Sequence, residues 1–82
     1  NPFNSYTTIQ YQLASNTHVK LAVYNLLGQK IIELINEKPS AGRYSCHWNG
    51  KDRFGNVASS GVYLFKIETE QFSEIKKMLF LR

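Results

Sequence analysis

The sequence predicts an all-β fold, a seven-stranded antiparallel sandwich, on three observations. Apolar residues recur with a period of two along most of the chain, short turn signals separate the runs, and no stretch has a sustained helical period. Ile9, Tyr11 and Leu13 alternate with Thr8, Gln10 and Gln12; Val19, Leu21 and Val23 alternate with His18, Lys20 and Ala22. Tyr44, Cys46 and Trp48 alternate with Arg43, Ser45 and His47, and Tyr63, Phe65 and Ile67 with Leu64, Lys66 and Glu68. Each pattern describes a strand with one face on a core and one in water.

The punctuation supports the same reading. Asn16-Thr17 separates the first two strands, and Leu26-Leu27-Gly28-Gln29 joins the second to a third over 30–35, with Gly28 free to take a positive φ. The only helical contender is 26–34, but Gly28 interrupts it and the β-branched pair Ile31-Ile32 lowers its propensity. Pro39-Ser40-Ala41-Gly42 precedes the fourth strand. A longer corner runs from Asn49 and Gly50 through Asp52 to Gly55, with a short strand expected over 56–58. Ser59-Ser60-Gly61 opens the next strand, and Glu70-Gln71 divides it from the last. With one Trp in a middle strand, an immunoglobulin-like sandwich is the leading architecture; the paired cysteines of antibody domains are absent.

Length and composition bound the function. Eighty-two residues hold one domain, 1–82, and 43% hydrophobic with 13% aromatic residues suffices for a core. No apolar run nears the roughly 20 residues of a membrane helix. The net charge of +4 comes from ten scattered Lys and Arg, which argues against nucleic-acid binding. The single Cys46 cannot form an internal disulfide and reads as core filler beside Tyr44 and Trp48. The opening at Asn1-Pro2-Phe3 reads as a piece of a longer protein.

Catalytic signals are weak throughout. The six acids do not pair into an acid/base dyad, since Glu68 and Glu70 flank a turn. His18 and His47 occupy outward positions on different strands, without a Cys or second His at zinc spacing. No serine sits on a nucleophile elbow and no glycine cluster cradles phosphate. Asp52 is expected to cap a turn; a calcium site is the sharper alternative, although its donor set falls short of the EF-hand spacing. The expectation is a non-enzyme without cofactor or metal.

Four stretches carry a resemblance. They are Asn1-Pro2-Phe3-Asn4 with the alternating 8–13; the run 19–31 from Val19 to Ile31; the set Gly42-Arg43-Tyr44, Trp48-Asn49-Gly50-Lys51-Asp52, Gly55 and Ser60-Gly61-Val62-Tyr63; and Lys76-Lys77-Met78-Leu79-Phe80-Leu81-Arg82. Together, in this order, they resemble the type A C-terminal sorting domains of type IX (Por) secretion cargo. They are also similar to the Ig-like domain of the flagellar hook-capping protein. Ala14 departs from the resemblance, standing where the family commonly has proline.

The resemblance implies a module that ends a larger exported protein and carries a covalently linked cargo on its N-terminal side. Its partners would be the outer-membrane secretion machinery and a sortase-like peptidase that removes it, and its destination the cell surface or medium. Arg82 would then be the natural end of the parent chain. It further implies that Lys76, Lys77, Met78, Leu79, Phe80, Leu81 and Arg82 form the recognition strand, with Gly28, Asn49, Gly50, Asp52, Gly55 and Gly61 as turn residues. Alternation places Ile75, Leu79 and Leu81 on one face of that strand, with Lys77 the exception, and Met78 and Phe80 on the other. Met78 and Phe80 are therefore expected to be the surface an exporter reads, unless they pack within the domain. An exposed last strand would also permit an edge-strand dimer. Two alternatives stand beside sorting: a structural spacer or hook-cap-like assembly domain, and a carbohydrate-binding module using Tyr6, Tyr24 and Phe54.

Overall fold

The computed structural model of the protein describes residues 7–82. The opening Asn1-Pro2-Phe3-Asn4 motif and Tyr6 lie outside the described residues. Among the described residues six strands follow one another: β1 (Thr7–Leu13), β2 (Val19–Asn25), β3 (Lys30–Glu37), β4 (Gly42–Trp48), β5 (Gly61–Glu68) and β6 (Ser73–Phe80). They form a two-stranded sheet, β1-β4, and a four-stranded sheet in the order β3-β2-β5-β6, with every pairing antiparallel.

The expected seventh strand over 56–58 is not formed. Val57 makes one isolated bridge, to Lys51. Around 56–58 the hydrogen bonds close on the corner itself, from Asp52 N–H to Asn56 O (2.8 Å) and from Ala58 N–H to Gly50 O (2.7 Å), while Arg53 N–H reaches across to Ile31 O of β3 (3.2 Å). The Asn56 and Ala58 groups are thereby spent locally and add no strand to either sheet.

The period of two became burial as expected. Ile9, Leu13 and Trp48 from the two-stranded sheet meet Val19, Leu21, Val23, Tyr63, Phe65 and Ile67 from the four-stranded one. Trp48 anchors this core with a buried ring and an indole N–H donated to Lys51 O (2.9 Å). Burying an aromatic of this kind contributes about 1.5–3 kcal/mol by area, and its polar end is satisfied. Cys46 is half-buried, and burial pushes its thiol above the ordinary value, which disfavours the nucleophilic thiolate.

One device recurs. Ser40-Ala41-Gly42-Arg43-Tyr44 and Ser59-Ser60-Gly61-Val62-Tyr63 share a Ser-x-Gly-x-Tyr pattern. In each, the Tyr hydroxyl donates back to the Ser carbonyl four residues earlier. Each tyrosine thus locks the entry of its strand, β4 or β5, in the manner of a tyrosine corner.

Candidate functional site

β6 begins after a tight turn in which Thr69 N–H donates to Phe72 O (2.8 Å). It then runs along β5 with Phe80 opposite Gly61, Met78 opposite Tyr63 and Lys76 opposite Phe65. Tyr63 and Phe65 point into the core, so Phe80, Met78 and Lys76 share that inward side. Phe80 is only 2% exposed, and its ring joins Trp48 (centroids 5.0 Å apart) and Tyr63 (6.3 Å) in a three-ring cluster. Met78 is half-buried against the same core.

The expectation that Met78 and Phe80 form an exposed recognition face is therefore overturned. Alternation told which residues share a face, but the register against β5 decides which face meets the core. The outward side instead carries Ile75 and Leu79, 60% and 61% exposed, with Lys77 between them. Leu81 is half-buried just past the strand, and the Arg82 N–H is held by the Ser60 hydroxyl oxygen (3.0 Å). Lys76 faces inward at the open flank of the sandwich, paired with Glu74 (3.6 Å). There it borders a cleft of about 210 Å³ whose apolar walls include Ile9, Phe65, Ile67 and Phe72. The residues 76–82 thus divide between two surfaces. β6 pairs with β5 alone among the described residues, leaving its other edge open.

The turn residues do what their chemistry requires. Asn49 Oδ1 accepts from Lys51 N–H, and Asp52 Oδ1 accepts from both Phe54 N–H (2.9 Å) and Asn56 N–H (2.9 Å). This assigns Asp52 to shaping the corner. Among the described residues no group of His, Cys, Asp and Glu is arranged to hold a metal ion. Gly28 and Gly55 take left-handed φ values of 83° and 86° at turn tips, while Gly61 opens β5. Gly50 is more demanding. Its φ is 80°, and a Cβ built there would lie 2.3 Å from Phe80 Cζ. The last strand is therefore seated on the corner through a glycine that has neither the space nor the dihedral for a side chain.

Two features escaped sequence reasoning. The first is a clip between the β1–β2 link and the β5–β6 turn. Glu70 Oε1 accepts from His18 N–H (3.1 Å) and from the buried Thr17 hydroxyl (3.2 Å), and Thr17 Oγ1 accepts from Glu70 N–H. The His18 backbone hydrogen bond, then the Thr17 hydroxyl and the charge of Lys38, hold the Glu70 carboxyl below its ordinary value. The second is that the outward residues of β2 and β5 lie beside Leu79, because alternation marks a strand's outward side but not its neighbours across the sheet. Of the aromatics weighed for glycan binding, Phe54 is 74% exposed with the Arg53 guanidinium 5.0 Å from its ring centre, and Tyr24 is half-buried.

A family model described as the FlgD Ig-like domain matches residues 4–72. The chain belongs to the FlgD Ig-like domain family. FlgD from P. aeruginosa has the same fold at a TM-score of 0.70 and 26% identity, over 90% of this chain and 58% of that one. Dimeric latent PorU from Porphyromonas gingivalis gives a TM-score of 0.73 at 17% identity, over 99% of this chain and 8% of the PorU chain. The PorU likeness is one of fold. No curated protein matches the chain. The family-model match ends at residue 72, immediately before β6, while the likeness of fold to both FlgD and PorU extends past that residue.

Proposed function

We propose that this FlgD Ig-like domain is a non-catalytic sorting module that directs an attached cargo across the bacterial outer membrane to the cell surface or medium. The observation that carries the reading is β6. It is an edge strand with Ile75, Lys77 and Leu79 turned outward, in the segment whose sequence resembles type IX sorting signals. The partners are the secretion machinery and a sortase-like peptidase, with the cargo joined ahead of the domain. The likeness of fold to PorU, along the whole chain, supports the reading.

The test is export of the parent protein in its own host, with and without this domain. Without it, the cargo is expected to accumulate in the periplasm; unchanged export would overturn the reading. Deleting 76–82 alone is a poor test, because it also removes Phe80 from the core.

A second reading is a structural Ig-like spacer or assembly domain, favoured by the FlgD family match over 4–72. It is distinguished by the same experiment, since a spacer can be removed without stranding the cargo.

A further inference from the structure

The outer face of the four-stranded sheet is built across strands. Its register aligns Lys30, Tyr24, Leu64 and Lys77 in one row, from β3 through β2 and β5 to β6. In the same way Val62 lies opposite Leu79, and Lys66 opposite Ile75. Directly opposed side chains in such a pair stand about 5 Å apart, so Val62, Leu64, Ile75 and Leu79 belong to one surface. Half-buried Val62, Leu64 and Tyr24 form its floor, and the more exposed Ile75 and Leu79 rise on β6.

Charge on this face is unevenly compensated. Lys66 pairs with Glu68 (3.9 Å) and Lys30 with Glu33 (3.8 Å), while Lys20 and Lys77 have no carboxylate within ion-pair distance among the described residues. Lys77 stands at the end of the Tyr24–Leu64 row, between Ile75 and Leu79 on its own strand. An apolar strip with an uncompensated ammonium in its middle complements an apolar patch that carries carboxylates.

Resting on the sorting reading above, we infer that this composite face, Val62 and Leu64 of β5 with Ile75, Lys77 and Leu79 of β6, docks an acidic, apolar-centred protein surface of the export machinery. The signal is then a folded sheet face and not a linear tail. β5 supplies two of its five residues from positions more than ten residues earlier in the chain. A protein partner is favoured over a lipid surface because the floor residues are recessed and half-buried, which suits a shaped protein patch better than insertion into acyl chains.

The experiment uses the parent protein in its exporting host and measures the exported fraction for Leu79→Ser, Leu64→Thr, Lys77→Glu and Lys77→Arg, beside removal of the whole domain. Val62→Thr, which preserves branching and volume, replaces Leu64→Thr if that variant unfolds. Thermal unfolding of each purified variant checks the fold. The β5 and β6 variants and Lys77→Glu are each expected to cut export about tenfold or more, as loss of a central contact does, while Lys77→Arg exports normally. Loss of export in Leu79→Ser with normal export in the folded β5 variant would show a linear signal and overturn the inference. Normal export of every face variant, where domain removal blocks export, overturns the inference and leaves the sorting reading standing. Unchanged export on domain removal overturns the sorting reading itself. Sedimentation of the purified parent with phosphatidylglycerol vesicles, abolished by Lys77→Glu, would replace the protein partner with a membrane.

Discussion

On the β1–β4 sheet every outward side chain described is polar: Thr8, Gln10 and Gln12 from β1, and Arg43, Ser45 and His47 from β4, with Thr8 Oγ1 and His47 Nδ1 hydrogen-bonded at 2.8 Å. Across the sandwich the outward positions of β5 and β6 include Val62, Leu64, Ile75 and Leu79. Both sheets share one core and one chain, so composition alone does not explain the difference. A solvated antiparallel face needs no apolar residues. Apolar residues retained on one side only are what the proposed docking face requires, and a lysine in mid-strand such as Lys77 disfavours indiscriminate pairing along the open edge.

The largest expected effect separates the inner and outer sides of β6 itself. Phe80→Ala should cost about 3–5 kcal/mol in urea unfolding, because it empties the site between Trp48 and Tyr63. Its neighbour Leu79→Ala should stay within about 0.5 kcal/mol, as expected of an exposed position. Equal losses at the two positions would make the outer face structural and dissolve the contrast.

Gly50→Ala should follow at about 1–3 kcal/mol, since its new Cβ meets the Phe80 ring and the dihedral is left-handed. Asp52→Ala should lose about 1–2 kcal/mol with the two hydrogen bonds of the corner, and Asp52→Asn should recover most of it by keeping an Oδ1 acceptor. No recovery would mean that the charge of Asp52 matters beyond turn formation.

The smallest effect tests what holds the links of the two sheets together. The Glu70 carboxyl is held below its ordinary value of 4.5 in the folded protein. Its contribution is therefore fully present above that value and fades as pH falls through the lower folded-state value. Urea midpoints between neutral pH and pH about 3 should fall less in Glu70→Gln than in the parent domain. An identical acid response in both would remove Glu70 from the account. On the open edge, Lys77→Val should raise self-association in sedimentation, whereas Gln10→Val on the other sheet tests whether any added apolar residue does the same.

Much of the fold was legible because a period of two records burial directly. Ile9, Leu21, Trp48, Tyr63 and Phe65 were all placed inward from alternation alone, and Asn49, Gly50 and Asp52 were placed in a corner by their turn chemistry. The expected strand over 56–58 does not form because Asn56 O and Ala58 N–H are engaged within the corner, which a local pattern of residues does not reveal. The site was half legible. The segment 76–82 stands out as apolar and basic, but of the two placements open to Met78 and Phe80 the register on β5 selects packing within the domain. With Ile75 and Leu79 on one side and Met78 and Phe80 on the other, both sides look equally suited to a core.

The sequence by itself determined an all-β chain, its turns and the set of side chains that can fill a sandwich, because strand period and turn chemistry are local. Only the tertiary structure decided that Phe80 enters the Trp48 cluster over Gly50 while Leu79 faces out beside Val62. Residues far apart in the chain make that choice. The register of β6 on β5 and the bare Cα of Gly50 leave room for one ring on one side, and a one-residue slip would have exchanged the two faces.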